Sequence, residues 1–157
     1  MSGVNQEKTA KDIVWLSSLI VVATPEQNEQ VKSKKISDTS NEYTWTIQKF
    51  KVDEVLLNRS SSYDIEGETI AVSSFDSHRF DIAVRRSQNV NLIEIYQTYK
   101  RHDPIEISPS SKRILILKDN MQKDDAPFVY SMTRSIESIN ALSYIMQLIK
   151  GDASESV

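Results

Sequence analysis

Three basic doublets are the first residues in this chain whose placement suggests chemistry: Arg85 with Arg86, Lys100 with Arg101, and Lys112 with Arg113. Guanidinium and ammonium groups held side by side attract phosphate and carboxylate, so an anion site exists only where the fold brings such pairs together. The two histidines, His78 and His102, stand near Asp76 and Asp103. Imidazole beside carboxylate can ligate a metal or exchange protons in phosphodiester cleavage. No HExxH or comparable spacing accompanies them, so a phosphodiesterase, metal-dependent or metal-free, ranks third among the functional readings.

The elements around these residues set how they meet. Phe80, Ile82 and Val84 alternate with Arg79, Asp81 and Arg85, which predicts an amphipathic strand over 79–86. Residues 87–90 then read as a turn and 91–99 as the return strand. In that hairpin Arg79, Lys100 and Arg101 fall at one sheet end with both histidines, while Arg85 and Arg86 fall at the turn. Ile114 to Leu117 is a continuous apolar run, as in a central strand covered on both faces. If it leaves from the same edge, Lys112 and Arg113 join Arg79, Lys100 and Arg101 as a candidate anion-binding set. The alternative is a row of solvated strand ends, partly neutralised by Asp76, Asp103 and Glu106. A formal net charge of -3 weighs against nucleic acid as the ligand, although nucleic acid and an anionic membrane surface stay among the partners considered.

The remaining pattern predicts an α+β fold: an antiparallel β-sheet of five to seven strands covered by one long C-terminal helix. Tyr43, Trp45 and Ile47 alternate as in a half-buried strand, residues 52–57 continue as strand or helical turn, and Gly67 marks a bend before a strand near 68–73. Met132, Ile136, Ile139, Leu142, Ile145, Met146 and Ile149 recur at helical spacing, with Pro127 near the start and Gly151 at the stop. At 157 residues the chain suits one core. The expected division is an N-terminal apolar arm at 1–24, helix or strand, a polar linker at 25–41, a domain at 42–151 and a tail at 152–157.

Several functions are excluded by what the chain lacks. Three glycines are too few for a phosphate-cradling loop of the Walker or dinucleotide type, and no GxSxG elbow occurs. Zero cysteines remove disulfides, thiolate metal sites and cysteine nucleophiles, which fits an intracellular protein. No cofactor is expected, no metal site is assigned, and no apolar stretch reaches the roughly 18 to 20 residues of a membrane-spanning helix. Residues 13–23, IVWLSSLIVVA, resemble a signal-peptide core, but Asp12 abuts the run and Ser17 and Ser18 interrupt it, so a cytoplasmic location is expected and secretion is the minor alternative. The Asn58-Arg59-Ser60 sequon has meaning only on export.

YTWTIQKF at 43–50 superficially resembles the opening strand of a MATH domain, but the later glycine and aromatic landmarks of that family do not follow. Strands closed by one C-terminal helix resemble the pleckstrin-homology layout in architecture alone. Neither likeness assigns a residue a role. The expectation is therefore a non-enzymatic protein-protein interaction or assembly protein that forms homo-oligomers. Its candidate self-association residues are Trp15, Leu16, Leu19 and Ile20, an apolar group that would be unfavourable to leave in water. An anion-binding module, reading a phosphoinositide-type headgroup or nucleic acid through the basic edge, is the alternative.

Overall fold

The computed structural model describes residues 11–36, 42–60, 64–76, 80–81, 84–85, 109–120, 126–131 and 136–155. Within them a short helix, α1 (11–16), precedes seven strands: β1 (Leu19–Pro25), β2 (Gln30–Lys35), β3 (Glu42–Asn58), β4 (Thr69–Ser73), β5 (Arg113–Asp119), β6 (Phe128–Tyr130) and β7 (Ile136–Ser138). A 3-10 turn at Ile139–Ala141 leads into α2 (Leu142–Glu155). The α+β class is as expected.

The sheet closes on itself. β1 pairs with β3 on one side and β5 on the other, β3 pairs with β4, β4 with β6, and β6 with β5. These five strands form a ring, with β2 attached to β3 and β7 to β5. The expectation of an antiparallel sheet is corrected at one junction: β4 and β6 run parallel, Val72 opposite Phe128 and Ser73 opposite Val129.

Composition explains which strands sit inside. Leu19, Val21, Ala23, Phe50, Val52, Leu115 and Leu117 point into the ring and form one core cluster with Ile70, Val72 and Phe128. The intervening Ile20, Val22, Ile114 and Ile116 face outward, where Ile13 and Val14 of α1 and Ile145 and Leu148 of α2 cover them. Two unbroken apolar runs, LIVVA and ILIL, are what strands buried on both faces require. The reading of 114–117 as such a strand agrees with this. Of the arm expected at 1–24, which could dock on its own chain or reach a neighbour, residues 19–25 pair with β3 and residues 19–23 also with β5, joining the same ring as β3, β4, β5 and β6.

Two further expectations are corrected. The helix is 14 residues long and starts at Leu142, because Ile136 is taken into β7 opposite Leu115 and Ile139 into the 3-10 turn. Apolar spacing fits either outcome over 136–139, and pairing with the buried β5 decides it. Ser138, extended at φ -61 and ψ 149, caps the turn by accepting from the Asn140 amide at 3.2 Å. The amphipathic strand expected over 79–86 is helical at Phe80, Asp81, Val84 and Arg85. The Phe80 amide donates to the Asp76 carbonyl at 2.9 Å, four residues back, so local hydrogen bonding prevails over alternation there. The return strand at 91–99 lies outside the described residues.

The bend at Gly67 is present: its φ of 81° is left-handed, and its amide reaches the Val52 carbonyl at 2.7 Å to return the chain from β3 into β4.

Candidate interaction site

β3 is 17 residues long and too extended for one partner. Its second half, Phe50 to Asn58, pairs with β1, and its first half, Glu42 to Ile47, pairs with β2. The corner at 26–29 thus breaks one long strand into β1 and β2, and β2 carries the pairing beyond the ring as a two-stranded ribbon. All six residues of β2 are exposed. Among the described residues β3 is its only partner.

Register gives the ribbon two chemically different faces. Lys34 lies opposite Tyr43, Lys32 opposite Trp45 and Gln30 opposite Ile47; on the other face Lys35 lies opposite Glu42 and Ser33 opposite Thr44. The first face is stiffened by packed rings. Tyr43 and Trp45 sit side by side at 6.2 Å between centroids, and Phe75 stands edge-on to both, at 5.7 and 5.0 Å. Phe80 closes the group, 5.5 Å from Tyr43, with the Lys34 ammonium 5.0 Å from its ring centroid. These rings are half-buried. They act first as the ribbon's own anchor, as mutually packed aromatics in strands do.

A hydroxyl clamp delivers Phe75 to that group. Just past β4, Ser74 Oγ accepts from the Thr46 amide at 2.7 Å, and the Ser74 amide donates to the Thr46 carbonyl at 2.8 Å. Phe75 then has little freedom, since its amide also donates to Ser73 Oγ at 3.0 Å. Lysines therefore project from a ribbon whose backbone is held at its base.

The residues expected to bind anions are not assembled by what is described. Arg79, Lys100 and Arg101 lie outside the described residues, as do His78 and His102. Lys112 is exposed, but its neighbour Arg113 is buried, 9% exposed. Arg113 Nε donates to the Ser111 carbonyl and Nη2 to the Pro109 carbonyl, both at 3.2 Å, tying the 109–112 turn to β5. Burial lowers the Arg113 pKa from its ordinary value, against the opposing pull of Tyr130 and Glu29. The guanidinium also borders an open cleft of about 740 Å³ beside the 26–29 corner, with Glu26, Glu29 and Gln48. With two carboxylates facing it, this cleft does not present a concentrated positive field.

The expected self-association group divides. Leu19 and Ile20 are 1% and 0% exposed, inside the ring and under α1 and α2 respectively, so neither can meet a partner. Trp15 and Leu16 are 65% and 45% exposed. Arg59 fixes the helix that carries them: its Nη1 donates to the Trp15 carbonyl at 2.8 Å, to Ser17 at 3.3 Å and to Val14 at 3.4 Å, satisfying the carbonyls at the end of α1.

The residues missed in the sequence are Lys32, Lys34 and Lys35, which sit in what reads as a linker. The alternation in QVKSKK was the available signal. It is easily overlooked, because lysine has little strand preference and β3 supplies the pairing.

Among the described residues no group of three or more His, Asp or Glu side chains could hold a metal ion. No described helix is long and apolar enough to cross a membrane. No protein-family model matches the chain, and no curated protein matches its sequence.

Proposed function

We propose that the protein is a non-enzymatic protein-interaction module whose working surface is the edge of β2 away from β3, and that its partner contributes an extended acidic segment. A strand added at that edge would gain main-chain hydrogen bonds from β2 and complementary charge from Lys32, Lys34 and Lys35. The observation that carries the reading is a fully exposed, lysine-bearing strand on an anchored ribbon, paired on one side among the described residues. Lysines on an edge also discourage indiscriminate strand pairing, so the same residues that reject neutral or basic edges select an acidic one. Because the rings hold the ribbon in place, little conformational freedom is lost on binding.

The test is a titration with a synthetic peptide alternating Glu and Val, followed by heat and by fluorescence. Binding should weaken with salt and disappear in Lys32→Glu/Lys34→Glu/Lys35→Glu. Equal binding by that variant overturns the reading.

A second reading has its own support. Lys32 and Lys34 share a face with Trp45, Tyr43 and Phe80, an arrangement suited to the phosphates and bases of single-stranded nucleic acid, and five-stranded Greek-key barrels include oligonucleotide binders. A labelled single-stranded oligothymidylate separates the two: the nucleic-acid reading requires tight, strongly salt-dependent binding that falls in Trp45→Ala. The peptide reading requires weak binding that Trp45→Ala leaves unchanged.

A further inference from the structure

The three lysines of β2 are not equivalent. Register sets Lys35 opposite Glu42, so the ribbon itself supplies an acidic cross-strand neighbour for that charge. Lys34 and Lys32 lie instead opposite Tyr43 and Trp45, on the face that carries the packed rings. The remaining face differs again. Val31, opposite Thr46, is 71% exposed, the most exposed of the large apolar side chains among the described residues. Val31 and Lys32 are adjacent in the strand and therefore belong to opposite faces.

We propose that β2 selects its partner by a two-sided pattern: acidic residues at two alternate positions, facing Lys34 and Lys32, and an apolar residue facing Val31. This inference rests on the edge-strand reading given above and names which residues of that edge discriminate. The incoming strand runs antiparallel to β2, the pairing that is slightly more stable per residue and sets side chains directly opposite one another. From its C-terminal side β2 reads Lys34, Ser33, Lys32, Val31. The partner, from its N-terminus, therefore reads acidic, small, acidic, apolar. A slip of one residue would move both carboxylates to the Val31 face and lose both lysines, so the pattern fixes register as well as sign. Lys35, with Glu42 across from it, adds general attraction and little discrimination.

Three fluorescein-labelled peptides of one composition, titrated with the full chain, test this: Thr-Thr-Glu-Ser-Glu-Val-Thr-Thr, its reversal, and a version with the second Glu and the Val exchanged. The first should bind about fivefold more tightly than either of the others, since the exchange mispairs two positions and the reversal loses the contact with Val31. Lys32→Ala/Lys34→Ala should abolish that preference, Lys35→Ala should leave it intact, and Val31→Lys should transfer it to the exchanged peptide. All these side chains are exposed, so the far-ultraviolet circular dichroism spectrum should not change; should a variant misfold, the wild-type ranking of the three peptides still decides. Equal binding of all three by the wild type, lost when the lysines are reversed, overturns the pattern and leaves the edge reading standing. Binding of none, with or without binding of oligothymidylate, overturns both.

Discussion

The β1–β5 side of this molecule and the β2–β3 ribbon are both made of antiparallel strands, yet they are held by different means. β1 and β5 are apolar at every position between 19 and 23 and between 114 and 117, paired on both edges, and covered on both faces. β2 has one partner among the described residues, no buried residue, and three lysines. The first arrangement draws stability from area removed from water; the second is held by its pairing with β3 and by the rings at its base. The difference is one of support: a strand paired on both edges and covered on both faces is ordered by burial, and an exposed strand relies on its neighbours for order.

The largest test of this contrast is Leu115→Ala, which removes a side chain from the ring interior. It should destabilise the protein by about 2 to 5 kcal/mol in chemical denaturation, whereas Val31→Ala on the ribbon should stay within about 0.5 kcal/mol. Comparable losses at both positions would abolish the distinction. Gly67→Ala should lower stability by about 1 kcal/mol: no atom stands within 4 Å of the added methyl, so the loss isolates the left-handed backbone at the β3–β4 turn. Arg59→Ala should cost about 1 kcal/mol and accelerate hydrogen exchange in α1 before the ring opens, since its bonds join the end of α1 to the end of β3. Lys34→Ala should cost about 0.5 kcal/mol, from loss of the contact with Phe80.

How much of this was legible in the sequence follows the same contrast. Residues 114–117 announce their burial because an apolar run with no polar interruption suits a strand with two covered faces. Gly67 announces its turn because few other residues adopt its φ. Residues 13–23 announce burial too, but the polar stretch after them detaches them from the domain on reading, and only the pairing of β1 with both β3 and β5 restores them. Over 136–139 and 80–85 the apolar spacing is compatible with more than one period, so partners distant in sequence and one backbone bond at Asp76 decide. The lysine edge was the least legible part. QVKSKK has the composition of a linker, and β3, whose own alternation at 43–47 is clear, supplies its order.

Amide hydrogen exchange at residues 30–35, measured with and without the Glu-Val peptide, tests the central claim most directly. The account predicts slowed exchange confined to β2 and the facing part of β3, with β1 and β5 unchanged, and no slowing in the variant with all three β2 lysines reversed. Bound peptide that leaves residues 30–35 unprotected, or protects the charge-reversed variant equally, would contradict it.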